Sequence, residues 1–294
     1  MRNRFLSSTI GLTAVITCSS VMLAQSGSKA GAANSKAAGA FDPHDLSGKW
    51  NRTSPFQTYS NVPGGANELQ AYILGQESAP RKLNVPTAEA PFTPEGKAQF
   101  DKNIPSYGRR ITAPVLGNDP QGNCDPWGVP RMLNGQVAGP HATIEIVQLP
   151  DRMFVFSQWH HDYRAIWADG RQLPKTDELE PKWNGYSVGR WEGNTFVVNS
   201  IGFDDRTWLD HNGYPHTEDM KLEERYRRVD ANTLELVETL TDPKYYSKPW
   251  RSDTKTWKLD PVGGKDWDPQ IYCVPSEEFK FNKLIRDGGA GKQP

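Results

Sequence analysis

An excess of charge of either sign is missing from this chain: 34 basic residues face 35 acidic ones, for a formal net charge of -1. Without a polyelectrolyte surplus there is no electrostatic basis for coating nucleic acid or lying on an anionic bilayer, so neither is expected as a partner. Long apolar runs are scarce. The most apolar stretch, Phe5 to Leu23, is interrupted by Ser, Thr and Gly and is too weakly apolar to hold a stable membrane span. Short signatures of familiar chemistries are missing as well. There is no HExxH or paired CxxC to hold a metal. Pro63-Gly64-Gly65 and Gly288-Gly289 lack the following Lys-Ser/Thr and the strand-to-helix setting of a phosphate cradle.

Cysteine is sparse, with 3 in 294 residues, and its placement is informative. Arg2 and Arg4 precede the apolar stretch, and no acidic residue occurs before Asp42. This is the layout of an export signal, with cleavage after Ala24 or, alternatively, lipidation at Cys18 behind Val15-Ile16-Thr17. The expected location is therefore periplasmic or extracellular. Removing residues 1–24 leaves Cys124 and Cys273, which in an oxidising compartment read as one disulfide. Two free thiols or a soft metal pair are the alternatives. A bridge closing so long a loop is worth on the order of 4 to 5 kcal/mol in the chain-entropy model.

The remaining chain, 36% hydrophobic, is large enough for one sizeable core. Residues 25–40 are dominated by Ser, Gly, Ala, Lys and Asn and read as a disordered tether. Residues 41–140 are rich in proline and form an irregular segment expected to wrap the rest. Two short helices are expected within it: Glu68 to Leu74 capped by Asn67, and a second opened by Thr93-Pro94 and running through Phe100. Residues 141–294 read as a β domain with a short C-terminal helix opened by Pro275-Ser276.

The β domain has a distinctive rhythm. Strand-like stretches cover Ile144 to Leu149, Met153 to Trp167, Tyr186 to Trp191, Thr195 to Phe203, Lys221 to Val229, Thr233 to Thr241 and Thr254 to Leu259. Trp50 or Ile271 is available as an eighth strand. Short turns at Pro150-Asp151, Glu192-Gly193-Asn194 and Asp230-Ala231-Asn232 alternate with long connections at Ala168 to Gly185, Asp204 to Met220 and Asp242 to Ser252. An antiparallel up-and-down meander, closed into a barrel or strongly curved, would put the short turns at one end and the long loops at the other. Binding and catalysis concentrate in loops held by such a scaffold.

Period-two reading points Val155, Trp159, His161, Tyr163 and Trp167 inward on the second strand, and Glu224, Arg228 and Glu238 inward farther on. Inward charges motivate a polar cavity, because a buried charge must be paired, hydrated or functional. Cross-strand ion pairs on the solvent face of an open sheet are the alternative. At the expected loop end, His161, Asp204, Asp205 and His211 are the candidate acid–base residues, with Glu224 as a further carboxylate partner. Trp159, Tyr163, Trp167, Arg206, Trp208, Glu224, Arg228 and Glu238 are the candidate ligand contacts. His161, His211 and His216 with an Asp would suit zinc or non-haem iron, although surface histidines in a polar loop read the same way. The 10 tryptophans suit a sugar, an aromatic ligand or simply a small barrel core.

Two resemblances add to this reading. Asp45-Leu46-Ser47-Gly48-Lys49-Trp50 resembles the Gly-x-Trp opening of lipocalin-type barrels, in which the tryptophan closes the barrel floor; a lipocalin would begin its strands at once, whereas here the next strand-like stretch starts at Ile144. The segments around Trp159, Trp183 to Trp191, Gly202 to His211 and Cys273 to Glu278 resemble an uncharacterised family of exported bacterial proteins, which implies no particular activity. Three functions follow as expectations: a small-molecule-binding barrel, a hydrolase or lyase using the same His/Asp cluster, or a structural envelope protein.

Overall fold

The computed structural model describes residues 41–53, 90–105, 117–134, 143–157, 162–210, 213–252, 254–260 and 273–276. All lie in one compact unit, Gly39–Pro294. The expected signal, tether and Asn67-capped helix fall outside the described residues.

The molecule is mainly β. Its strands are β1 (Gly48–Arg52), β2 (Ile144–Gln148), β3 (Arg152–Ser157), β4 (Tyr163–Trp167), β5 (Tyr186–Glu192), β6 (Thr195–Ile201), β7 (Lys221–Asp230), β8 (Thr233–Thr241), β9 (Trp250–Arg251) and β10 (Lys255–Leu259). Nine of them close into a barrel in the order β10-β1-β2-β3-β4-β5-β6-β7-β8, with β10 returning to β8. Strands β9 and β10 lie one after the other along the same edge of β8, so that edge is covered. Trp50 provides the expected extra strand, lying on β1 between Leu259 and Ile144.

All three short turns form hairpins, β2–β3, β5–β6 and β7–β8. Gly193 adopts φ +57° in the middle one, a conformation that glycine takes without steric cost. Strand directions place these turns at one end of the barrel. The β6–β7 and β8–β9 loops open at the other, together with the excursion between β1 and β2 that carries helices α1 (Pro94–Lys102) and α2 (Arg131–Asn134).

The expected long second strand is instead two. Ser157 N donates to Asp162 O at 2.8 Å and the chain reverses, setting Arg152 opposite Trp167. This reversal changes the phase of the alternation: Met153, Val155 and Ser157 are buried on β3, but Arg164 and Ile166 are buried on β4. Val155 faces inward as expected. Tyr163, 56% exposed, and Trp167 face outward, contrary to expectation. Because β4 finishes at the short-turn end, the Ala168 to Gly185 connection travels the length of the barrel before β5 begins, parallel to β4. That connection therefore does not belong to the long-loop end, and one pairing of the otherwise antiparallel barrel is parallel.

Both ends are packed. Thr93 Oγ1 accepts from Gly96 N at 3.0 Å and Pro94 starts α1, as the cap pattern predicts. The helix lies so close to the β8–β9 loop that a Cβ on Gly96 would sit 2.1 Å from Tyr245 O. Phe92, Phe100, Tyr214, Tyr246 and Trp250 fill the long-loop end, with neighbouring ring centroids 4.8 to 5.9 Å apart. At the short-turn end the fully buried Trp50 donates to Leu46 O at 2.9 Å, and the Arg228 guanidinium lies 5.4 Å from its ring. Cys124 and Cys273 form the expected disulfide, with Cα atoms 5.4 Å apart across 149 residues. Pro275 and Ser276 are helical, and the rest of the expected C-terminal helix lies outside the described residues.

Candidate functional site

The β6–β7 loop turns on Asp204. Its Oδ1 accepts from Arg206 N at 3.0 Å, a local Asx-type turn, and the Arg206 side chain folds back onto the same carboxylate with Nε 2.8 Å from Oδ1. This hydrogen bonding holds the Asp204 carboxyl below the usual carboxylate range. The Arg206 guanidinium also stacks 4.2 Å from the Trp183 ring centroid. Asp205 beside it is exposed.

Farther along the loop, Trp208 is 5% exposed, with the Arg131 guanidinium 5.7 Å from its ring centroid. Arg131 is gripped by both oxygens of Asp119 at 2.9 and 2.7 Å, a buried bidentate pair that fixes its plane. His216 is buried. Its Nδ1 lies 3.2 Å from Thr217 O, which can only accept, so Nδ1 carries a proton; Nε2 lies 2.6 Å from Thr207 Oγ1, whose hydroxyl also donates to Asp204 O at 3.2 Å. Burial pushes the imidazole pKa down, favouring the neutral form. Asp242 steadies the next residue, accepting from Thr217 N at 2.7 Å and Thr217 Oγ1 at 3.1 Å.

These groups surround an open cleft of about 240 Å³. Asp205, Arg206, Trp208, Pro215 and His216 come from the β6–β7 loop, Gln99 and its neighbour Asn103 from α1 and its C-cap, and Tyr245 from the β8–β9 loop. Asn103 is positioned by donating to Gly213 O at 2.8 Å. Four residues expected at a site thus meet here: Asp205, Arg206, Trp208 and His216, with Asp204 held behind Arg206. Gln99, Asn103, Pro215 and Tyr245 were not anticipated. The cap pattern announces α1, but only long-range packing brings it against this loop.

The other expected residues lie elsewhere. Tyr163 is on the outer wall. Trp167 is on the outer wall at the short-turn end, with the Arg152 and Arg171 guanidinium groups 5.5 and 3.8 Å from its ring centroid. Arg228 is also at the short-turn end, donating to Asp45 O and Ala231 O. Trp159, His161 and His211 lie outside the described residues. Among the described residues no three His, Cys, Asp or Glu side chains are grouped to hold a metal ion, and both ring nitrogens of His216 are already engaged.

Glu224 and Glu238 point inward as the alternation predicts; they are register neighbours on β7 and β8, and both are fully buried. Arg164 donates to Glu224 Oε1 at 2.8 Å and to Ser187 Oγ and Ser200 Oγ at 2.8 and 3.2 Å. The Tyr226 hydroxyl donates to Glu224 Oε1 at 2.8 Å, and burial raises its pKa well above the ordinary value. Lys255 Nζ donates to Glu238 Oε2 at 2.8 Å. Each inward carboxylate therefore has a cation, the condition under which buried charge is tolerated. Arg164, Ser187, Ser200 and Lys255 join this cluster without a signal in the sequence, Arg164 because the reversal before β4 shifts the phase of its alternation.

No protein-family model, curated protein or solved structure matches the chain.

Proposed function

We propose that this is an exported barrel protein that binds a small organic ligand, aromatic or carbohydrate, in the cleft at the long-loop end. One observation carries the reading: the loop singled out for its Asp, Arg, Trp and His residues contributes five residues to one cleft, where α1 and Tyr245 complete the wall. Its volume of about 240 Å³ is below the ~300–1,000 Å³ of sites that bury drug-sized molecules, which favours a compact ligand. Trp208 backs the cleft with its ring held against Arg131, while Asp205, Arg206, Gln99 and Asn103 offer polar groups along the wall. Export is supported by the disulfide, which suits an oxidising compartment. Among the described residues no helix is long and apolar enough to cross a membrane. The buried Trp50 behind Gly48-Lys49 supports a lipocalin-like reading of the floor, while the parallel β4–β5 pair departs from a lipocalin meander.

Native mass spectrometry of freshly isolated protein, followed by titration with whatever small molecule it retains, tests the reading. Arg206→Ala and Asp205→Asn are expected to weaken binding by about tenfold or more, with stability changed by under about 1 kcal/mol because both side chains are exposed. Full affinity in both variants would remove the cleft from consideration.

A second reading, acid–base catalysis in the same cleft, is favoured by His216. Desolvation favours its neutral form, and it lines the cleft beside the Thr207 hydroxyl, so imidazole and hydroxyl together can relay a proton. In that case His216→Gln abolishes turnover while ligand affinity is retained.

A further inference from the structure

The open cleft at the long-loop end carries a charge imbalance. Among the described residues three cations stand in or beside its wall, and each already has a carboxylate. Arg206 is held by Asp204, Arg131 behind Trp208 by Asp119 at 2.7 Å, and Lys244 beside Tyr245 by Glu95 at 3.5 Å. Lys102, on the same helix as Gln99, is not among the lining residues.

Two carboxylates have no such cation. Asp205 lines the cleft, is exposed, and forms no ion pair among the described residues. Asp242, buried behind the loop, is held there by neutral donors: Thr217 N at 2.7 Å, Thr217 Oγ1 at 3.1 Å and Tyr245 N at 3.4 Å. Burial is the largest influence on the titration of His216 and Tyr245, yet at both rings Asp205 and Asp242 favour the protonated form. Both rings line the cleft, so the fields of the two carboxylates overlap inside it. His216 does not cancel them, because desolvation favours its neutral form.

This balance and the walls select the class of occupant. An anion would meet the field of Asp205 and Asp242 while every cation of the wall is already paired. A neutral molecule would leave both charges uncompensated. A metal ion needs several ligands at bonding distance, and among the described residues no three His, Cys, Asp or Glu side chains are grouped to supply them. An organic cation needs only a carboxylate within reach and aromatic side chains in the wall, which Asp205, Trp208 and Tyr245 provide. Given that the cleft binds a small molecule, we infer that its ligand is a compact organic ammonium ion, with the charge received by Asp205 and the carbon frame packed against Trp208, Pro215 and Tyr245.

Calorimetric titration of the full disulfide-bonded chain with two matched pairs, phenethylammonium against 2-phenylethanol and D-glucosammonium against D-glucose, separates charge from frame. Whichever frame binds, its ammonium member should bind on the order of tenfold more tightly than its neutral twin. That preference should shrink toward unity in Asp205→Asn and in about 0.5 M salt, while the thermal midpoint of the variant stays level because the side chain is exposed. No binding by any of the four probes, equal binding within both pairs, or a preference that survives Asp205→Asn overturns the inference. Equal binding within a pair that is weakened by Arg206→Ala removes the cation and leaves the cleft as the site. A probe that binds undiminished in both Arg206→Ala and Asp205→Asn removes the cleft itself.

Discussion

A single imidazole links the cleft to pH. His216 has a carbonyl at Nδ1, a hydroxyl at Nε2, and the Phe203 ring edge-on at 6.2 Å, so protonation would place a charge in a largely desolvated setting. Desolvation lowers its pKa from the ordinary 6.5, while the nearby carboxylates of Asp242, Asp205 and Asp204 oppose the shift. For a base with a depressed folded-state value, the unfolded chain binds more protons just below pH 6.5. Stability is therefore full above that pH and is lost as pH falls toward the folded-state value, with a slope of up to about 1.4 kcal/mol per pH unit. Urea titrations between pH 7.5 and 5 should show this loss in the native protein and a flatter profile in His216→Gln; identical slopes would mean that folding leaves the ring's proton affinity unchanged. Glu238, which burial raises, contributes with the opposite sign, and it cancels when the two proteins are compared.

At the scale of elements, α1 is held in place by the absence of a side chain. Gly96→Ala would raise helix propensity by about 1 kcal/mol in isolation. Here the added methyl meets rigid backbone at Tyr245 O, so the helix must lift and carry Gln99 and Asn103 with it. Net destabilisation of about 1–3 kcal/mol is expected, with weaker binding in the cleft, measurable by calorimetry and titration. A stabilised variant with unchanged binding would show that α1 is not part of the wall. The start of α1 was legible because Thr93-Pro94 acts locally, and so were the hairpins at Gly193 and Asp230-Ala231-Asn232. The reversal between Ser157 and Asp162 was not. The intervening Gln158-Trp159-His160-His161 contains neither Gly, Pro, Asn nor Asp, so it carries no local turn signal and reads as continued strand. That one misreading inverted the faces of Tyr163, Arg164, Ile166 and Trp167. The alternation on β7 and β8 had no such interruption, which is why Glu224 and Glu238 were placed correctly.

On the scale of the whole molecule, the Cys124–Cys273 bridge closes a loop of 149 residues around the barrel. Replacing both cysteines by Ala is expected to cost about 2–5 kcal/mol and lower the thermal midpoint by on the order of 10 °C. Scanning calorimetry with and without reductant measures it, and equal midpoints would show that the crosslink constrains little of the unfolded chain. Barrel closure imposes a different constraint. Trp50 is paired with the strand ending at Leu259, so the first stave of the described chain has its final neighbour some two hundred residues later. A nascent polypeptide stopped before Lys255 leaves Gly48–Arg52 and the flank of Thr233–Leu236 without their mutual partner, two ragged rims exposed to other chains. Neither edge can be satisfied until Lys255–Leu259 is in place, so the hoop is sealed by one long-range pairing step.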